Sequence, residues 1–146
     1  METPQWLKVY RHPAVISCVE AAQARGVPLS VELKTLLMRS GGFVVAVHLA
    51  AHRRLNSRAV KRLLGTKRLS FLHEDELVAH GVRRGAINPW NVPFCSLHVV
   101  AQSVFRIPRM STNNSRLDEG VLFATRELRK LPGLIVGPFD CETPDD

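Results

Sequence analysis

A short basic loop is the segment with the clearest chemical potential, since residues 80–91 read HGVRRGAINPWN. The segment holds glycine, proline and arginine but no Ser, Cys, Asp or Glu, so it lacks the usual nucleophiles and acids. Glycine lets the backbone approach a ligand and proline fixes the turn, so residues 85–89 (the 85–89 loop) can present consecutive N–H groups to an anion or an oxyanion. A plain connecting turn is the alternative, because most Gly/Pro stretches have that role.

Lys34 is the second candidate, because it stands near the start of the apolar segment 31–38, which is predicted to form a strand. A lysine rarely enters a sheet core, since burial of its charge is costly. At a strand end that faces a cleft, its amine can bind a phosphate as a point charge. An edge-strand lysine that discourages aggregation is an equally good interpretation of the spacing.

Standard catalytic and metal-binding signatures are absent from the sequence, including GxSxG, the Walker loop, HExxH and GxGxxG. Cys95 and His98 stand three residues apart on a predicted strand, where their side chains would point to opposite faces. His48 alternates with apolar neighbours and is predicted to be a packed residue rather than a ligand. We therefore expect neither a metal ion nor a cofactor.

The positive charge is concentrated, with a net charge of +7 and seven basic residues but no acidic one between positions 53 and 68. These seven residues, here called the basic patch, are Arg53, Arg54, Arg58, Lys61, Arg62, Lys67 and Arg68. Arg83 and Arg84 add further positive charge beside the 85–89 loop. The pattern favours a partner with a phosphate backbone, and a solvated helix face is the alternative.

The length of 146 residues predicts one domain, which we place at 1–139, followed by an acidic and loose tail at 140–146. The longest apolar run, 43–49, is too short to cross a bilayer, and the N-terminus lacks a signal-peptide pattern. Three cysteines form no disulfide framework. These features predict a cytoplasmic protein with no membrane partner.

Local signals predict the elements that must hold the loop and the lysine. Ser17 and Glu20 have the form of a capping box, so a helix is expected from about residue 18 to 25, where Gly26 ends it. A hairpin turn at 40–42 is expected between two strands, and Asn56 or Ser57 is expected to cap a second helix that ends at Gly65. The mixture of strands and helices without strict alternation predicts an α+β fold with helices packed on a mixed sheet.

The remaining elements are predicted from apolar runs and stop signals. Residues 108–116 are expected to be irregular, and Thr125 is expected to cap a last helix. A third helix is expected at about 74–79. Further strands are expected at about 68–71, 93–105, 120–123 and 134–136.

Several of these segments together resemble the YbaK/prolyl-tRNA synthetase editing-domain superfamily. The resemblance rests on Lys34-Thr35-Leu36-Leu37, on the basic helix that ends in Leu63-Leu64-Gly65 with the strand after it, and on Gly81 before Gly85 and Pro89. The opening Arg11-His12-Pro13, Glu20-Ala21-Ala22 and Arg25-Gly26-Val27-Pro28 fit the same pattern. The resemblance is good from about residue 6 to 95 and weaker to about 136.

The resemblance implies a mostly antiparallel, barrel-like sheet and a free-standing aminoacyl-tRNA deacylase. Such proteins hydrolyse the ester of a mischarged tRNA, typically tRNA(Pro) that carries Ala or Cys, with a water molecule as the nucleophile, helped by the adjacent ribose hydroxyl. Lys34 would hold the phosphate region of the terminal adenosine, and Gly85 would present the backbone to the ester carbonyl. The implied substrate-binding residues are Thr35, Gly81, Ala86, Ile87, Asn88, Pro89, His12 and Asn113. The implied contacts to the tRNA acceptor end are Arg53, Arg54, Arg58, Lys61, Arg62, Arg83 and Arg84.

The last third of the chain departs from the family pattern. Many relatives carry an acidic residue where this chain has Ala101-Gln102-Ser103, and the expected histidine has no counterpart in segment 107–114, although Asn113 fits the expected asparagine. The alternative is therefore an inactive module of the same fold that binds tRNA or has a regulatory role. An aminoacyl-tRNA synthetase is a candidate partner, and the sequence does not define the amino acid, the tRNA or the oligomeric state.

Overall fold

The computed structural model describes residues 5–142, which form a mixed α+β fold with mostly antiparallel strand pairs. The strands are β1 (Trp6–Arg11), β2 (Leu33–Ser40), β3 (Phe43–Ala50), β4 (Arg53–Leu55), β5 (Ser70–Phe71), β6 (Leu97–Ala101), β7 (Arg109–Arg116), β8 (Glu119–Ala124), β9 (Leu134–Gly137) and β10 (Asp140–Glu142). The α-helices are α1 (Cys18–Arg25), α2 (Ser57–Leu64) and α3 (Glu74–Ala79), and short 3₁₀ helices occupy Leu29–Val31, Gln102–Arg106 and Thr125–Lys130.

A five-stranded sheet in the order β5-β2-β3-β6-β9 forms the centre of the fold. The β2–β3 hairpin is antiparallel, with Lys34 opposite Leu49, whereas the β3–β6 and β6–β9 pairs are parallel. The turn at Gly41 has a φ of 60°, a left-handed conformation that glycine adopts without strain. The predicted hairpin is therefore confirmed, and β3 runs through the middle of the core.

A second sheet, in the order β1-β8-β7, lies against the first and is joined to it by an isolated bridge between Glu32 and Ser111. β4 and β10 form a separate two-stranded ladder. The expectation of a barrel-like sheet is wrong, because the strands are divided among three sheets that do not close on themselves.

Helix caps follow the sequence closely. The Ser17 side chain accepts from the Glu20 N–H and the Glu20 carboxylate accepts from the Ser17 N–H, while Gly26 ends α1 in a left-handed conformation. Asn56 caps α2, which buries Val60 and exposes its basic side. These helices are set by short-range signals, so the sequence sufficed to find them.

Two segments differ from the sequence-based expectation. Residues 109–116, expected to be irregular, form β7 and bury the polar residues Ser111, Thr112 and Asn113. Thr125 begins a 3₁₀ helix without capping it, and its buried Oγ1 has no hydrogen-bond partner among the described residues.

The beginning of the expected loose tail is ordered. Asp140–Glu142 forms β10 and pairs with β4, Phe139 is 1% exposed, and the Asp140 carboxylate accepts from Nε of Arg53 at 2.9 Å. The acidic composition predicted disorder, but burial of the Phe139 ring and the ion pair between Arg53 and Asp140 hold this segment against the rest of the fold. Residues 143–146 lie outside the described range.

An aromatic cluster links the first strand to the segment after the 85–89 loop. The Trp6 ring meets the Trp90 ring edge to face at 5.1 Å, and Trp90 meets Phe123 at 5.0 Å. This cluster joins β1, β8 and the loop around the main core. None of the helices formed by residues 5–142 has the length and apolar character that a transmembrane segment requires.

Candidate active site

A cavity of about 440 Å³ opens beside β2, where β5 covers only the end of the strand at Met38 and Arg39. Six residues singled out from the sequence line this cavity: Lys34, Thr35, Arg84, Gly85, Ile87 and Asn113. Much of the remaining wall is apolar and includes Ile16, Leu36, Leu37, Phe71, Leu72 and Leu77. The lysine and the 85–89 loop, far apart in the chain, therefore share one site.

Lys34 is half-buried, and its amine donates a hydrogen bond to the Arg53 carbonyl oxygen at 2.7 Å. Burial lowers the pKa of Lys34. Within residues 5–142, no carboxylate forms a salt bridge with the amine. A partly desolvated cation with two N–H groups still available can bind an anion in the cavity.

Gly85 lies in the cavity wall with a φ of 88°, packed against the backbone of Ile16. A methyl group at this position would lie 3.2 Å from both Cα and the carbonyl oxygen of Ile16, and 2.9 Å from Cδ2 of Leu117. The position therefore demands glycine on two grounds, conformation and space. The predicted contact between the Gly85 backbone and a ligand stays a prediction, since the atoms that crowd this position belong to Ile16 and Leu117.

Asparagine side chains, and not proline alone, hold the 85–89 loop in place. The Asn88 N–H donates to Oδ1 of Asn91 at 2.8 Å, and the Asn91 side chain donates to the Ala86 carbonyl at 2.7 Å. The Asn113 side chain of β7 donates to the Ile87 carbonyl at 2.7 Å, which fastens the loop to the sheet. The loop is thus fixed before any ligand arrives.

The expected nest of consecutive N–H groups is not present in this loop. The Ala86 N–H donates to the Arg83 carbonyl at 3.0 Å, and the Asn88 N–H is already bound to Asn91. Three residues of the loop are buried and do not line the cavity: Ala86, Asn88 and Pro89. Gly85 and Ile87 are the members of the loop that face the site.

Two other predicted substrate-binding residues lie away from the cavity wall. Gly81 is exposed just after α3, with a φ of 76°. His12 lies behind Arg25, whose Nε donates to Nε2 of His12 at 3.2 Å. Neither His12 nor Gly81 lines this cavity, so their predicted contact with a substrate stays a prediction.

The cavity wall contains a buried ion pair that the sequence did not predict. One terminal nitrogen of Arg25 donates to both carboxylate oxygens of Glu32, at 2.6 and 3.0 Å, and the Ser111 hydroxyl donates to the same carboxylate at 3.0 Å. Burial raises the pKa of Glu32, and Arg25 and Ser111 oppose that rise. An arginine in the last turn of a helix is usually solvated, so no sequence signal indicated this pair.

The cavity holds one thiol, that of Cys18. Burial raises the pKa of Cys18, and the Glu32 carboxylate raises it further, so the group remains a thiol rather than a nucleophilic thiolate. The hydroxyl of Ser17 is engaged with Glu20 at the start of α1. Among the described residues of the cavity wall, no histidine is placed to activate either group.

The basic patch lies mainly around α2. Arg58, Lys61, Arg62 and Lys67 line an open groove at the end of this helix. Arg53 is the first residue of the patch. Its side chain donates a hydrogen bond to the Asp140 carboxylate, and its carbonyl oxygen accepts one from the Lys34 amine, so the patch begins beside the cavity. On the loop side, Arg84 forms an exposed ion pair with Glu74 and also lines the cavity.

Comparisons with known proteins identify the family and the fold of the chain. Residues 12–131 match the family model described as the aminoacyl-tRNA editing domain. No curated protein is significantly similar to the chain in sequence.

Solved structures share the fold. The hypothetical protein APE2540 is 25% identical over 93% of this chain and 91% of its own, with a TM-score of 0.83. A protein presented as a proposed trans-editing enzyme for prolyl tRNA synthetase is 22% identical over 90% of this chain and 85% of its own, with a TM-score of 0.79. A proposed signal transduction protein from Marinobacter aquaeolei VT8 is 14% identical over 94% of this chain and 28% of its own, with a TM-score of 0.68.

The family match covers well over half of the chain and includes both Lys34 and Gly85, the two sides of the cavity. The expectation drawn from the resemblance is confirmed at this level. The chain belongs to the aminoacyl-tRNA editing domain family.

Proposed function

We propose that the protein is a free-standing, metal-independent deacylase that hydrolyses the ester of a mischarged aminoacyl-tRNA, with Ala- or Cys-charged tRNA(Pro) as the first substrates to test. One observation carries the proposal: Lys34 and Gly85 line the same cavity. An activated ester needs positioning and electrostatic stabilisation more than it needs a side-chain nucleophile.

Lys34 is the proposed anchor for the phosphate region of the terminal adenosine. An ammonium group has three N–H donors, and the Arg53 carbonyl occupies one of them at 2.7 Å. A phosphate group in the cavity would also offset part of the cost of burying this charge.

The aminoacyl group is proposed to lie between the 85–89 loop and β2. Gly85 and Ile87 bring backbone close to the ligand, while Leu36 and Leu37 supply apolar contacts for a small side chain. The Cys18 thiol is kept protonated, so a water molecule assisted by the neighbouring ribose hydroxyl is the proposed nucleophile.

The acceptor stem is proposed to lie on the basic patch, which begins at Arg53, one hydrogen bond from Lys34. Arg58, Lys61 and Arg62 then offer charges along the open groove of α2. Binding through such charges weakens as salt rises. The cytoplasm, where charged tRNA is used in translation, is the proposed location.

The experiment measures release of the amino acid from a panel of tRNAs charged with Ala, Cys, Ser or Pro. Wild-type protein is expected to hydrolyse at least one mischarged tRNA, and Lys34→Ala is expected to lower kcat/KM by about 100-fold, since bonds to charged groups contribute about 1.5–3 kcal/mol. Lys8→Ala is the matched control, because Lys8 is exposed on β1 outside the cavity.

Equal rates for wild type and Lys34→Ala would remove Lys34 from the mechanism. Salt-sensitive tRNA binding without release from any charged tRNA would instead support the alternative function, a binding or regulatory module of the same fold.

A further inference from the structure

Three side chains form a continuous line of hydrogen bonds from the cavity into the core. Oγ1 of Thr35, a residue of the cavity wall, lies 2.9 Å from Nδ1 of His48. Nε2 of His48 lies 2.9 Å from Nδ1 of His98 on the neighbouring parallel strand β6. His48 is 0% exposed and His98 is 2% exposed, so the two rings can act on a ligand only through Thr35.

Both rings are neutral at physiological pH. Burial lowers the pKa of His48, with His98 lowering it further, and burial lowers the pKa of His98 to about 4. A neutral imidazole carries one N–H donor and one bare nitrogen acceptor. Each ring can therefore donate only once.

This proton count couples the two hydrogen bonds. If His98 donates from Nδ1 to His48, then His48 must donate from Nδ1 to Thr35, and the Thr35 hydroxyl hydrogen is free to point into the cavity. If Thr35 donates to His48, then His48 must donate from Nε2 to His98, and Thr35 offers the cavity only lone pairs. The buried pair thus decides whether Thr35 is a donor or an acceptor towards the ligand.

The proposed ester hydrolysis requires a hydrogen-bond donor in the cavity, and Thr35 is placed to supply one. An ester carbonyl that is attacked by water becomes an oxyanion and is stabilised by fixed hydrogen-bond donors. The N–H groups of Ala86 and Asn88 cannot serve, since they are bound within the loop at 3.0 and 2.8 Å. A hydroxyl held by a buried imidazole meets the requirement.

We propose that His48 and His98 are positioning residues that hold the Thr35 hydroxyl as a hydrogen-bond donor towards the ester carbonyl of the substrate. The inference rests on the proposed deacylase function and adds the residues that orient one of its donors. It also accounts for two imidazoles in a core otherwise built largely from valine and leucine, where a polar group is costly unless it is hydrogen-bonded.

The protonation pattern is tested first, by ¹⁵N NMR of the imidazole groups in the wild-type protein at neutral pH. The expected result is that His48 carries its proton on Nδ1 and His98 carries its proton on Nδ1. A His48 proton on Nε2 would overturn the inference, because Thr35 would then have to donate inward. This readout requires no activity and no substitution.

The kinetic test uses Thr35→Val, His98→Leu and the double variant, with thermal unfolding as a check on folding. Thr35→Val is expected to lower kcat by about 100-fold, the size of effect seen when one oxyanion donor is lost. His98→Leu is expected to lower kcat by about tenfold with KM unchanged, and the double variant should be no slower than Thr35→Val, because residues that act through one group are not additive.

His98→Asn provides a second variant, since its amide nitrogen can donate towards His48, and it is expected to recover most of the activity that His98→Leu loses. Losses that multiply in the double variant, or no recovery with asparagine, would overturn the positioning role while leaving an active deacylase. Wild-type protein that releases no amino acid would overturn the proposed function itself.

Discussion

Gly120 lies directly against the guanidinium group of Arg25. A methyl group at position 120 would lie 2.2 Å from Nε and 2.6 Å from Cδ of Arg25, so glycine makes the room in which the Arg25–Glu32 ion pair forms. Gly120→Ala is therefore expected to displace Arg25, leave Glu32 buried without its partner, and destabilise the fold by about 3 kcal/mol. Denaturant unfolding measures the change.

Gly42→Ala is the control for that substitution, because nothing lies within 4 Å of a methyl group there and the backbone is not left-handed. Its effect is expected to stay within about 0.5 kcal/mol. Equal stability losses for the two variants would show that Arg25 can rearrange freely.

Gly85→Ala is expected to lower deacylation by about 100-fold, because the methyl group would press on the Ile16 backbone at 3.2 Å and move the loop. Gly81→Ala has the same kind of left-handed φ but open space around it, so it is expected to cost about 1 kcal/mol of stability and little activity. Rates and melting temperatures of both variants check this. Loss of activity in both to the same extent would contradict a local role for Gly85.

The stability of the protein is expected to depend on pH through His98. Burial lowers the pKa of His98 to about 4 in the folded state, while the unfolded residue titrates near its ordinary value of 6.5. Between these values the unfolded chain binds a proton that the folded chain does not, so stability falls as pH drops from about 6.5 to 4, by at most about 3 kcal/mol for this residue.

The measurement compares the unfolding free energy of wild type and His98→Asn at pH 7 and at pH 4.5. The asparagine variant is expected to lose less stability on acidification than wild type does. Equal losses of unfolding free energy in the two proteins would show that His98 does not contribute to the pH dependence of stability.

Phe71 is a candidate platform for the terminal adenine, because this residue is 56% exposed and lines the cavity. Stacking of a base on an aromatic ring contributes about 1–3 kcal/mol, so Phe71→Ala is expected to raise KM for charged tRNA by about tenfold. Phe43→Ala is the matched control, since Phe43 is 61% exposed and lies outside the cavity wall. A KM that changes equally in both variants would exclude a specific stacking role.

Short-range signals made much of the scaffold predictable. The capping box at Ser17, the cap at Asn56 and the turn at Gly41 each depend on neighbours within a few residues, and all three form as expected. Lys34 and Gly85 could also be selected from the sequence, because an isolated lysine in an apolar strand and a glycine in a basic loop both deviate from ordinary patterns.

Long-range burial of polar groups accounts for what the sequence did not reveal. β7 was missed since Ser111, Thr112 and Asn113 are buried yet polar, which hides the alternation that marks a strand. The ion pair of Arg25 with Glu32 depends on the space left by a glycine in another sheet. Such contacts become visible only when the tertiary structure brings their partners together.

The edge-to-face pair of Trp6 and Trp90 makes the site observable by light. These are the two tryptophans of the chain, and the backbone N–H of Trp90 donates to Oδ1 of Asn88 in the 85–89 loop at 2.8 Å. Intrinsic fluorescence therefore originates from a single spot, where the first strand touches the segment that shapes the cavity. Any displacement of that segment when a ligand binds in the cavity would alter the tryptophan emission spectrum, so ligand binding can be followed without an added fluorescent label.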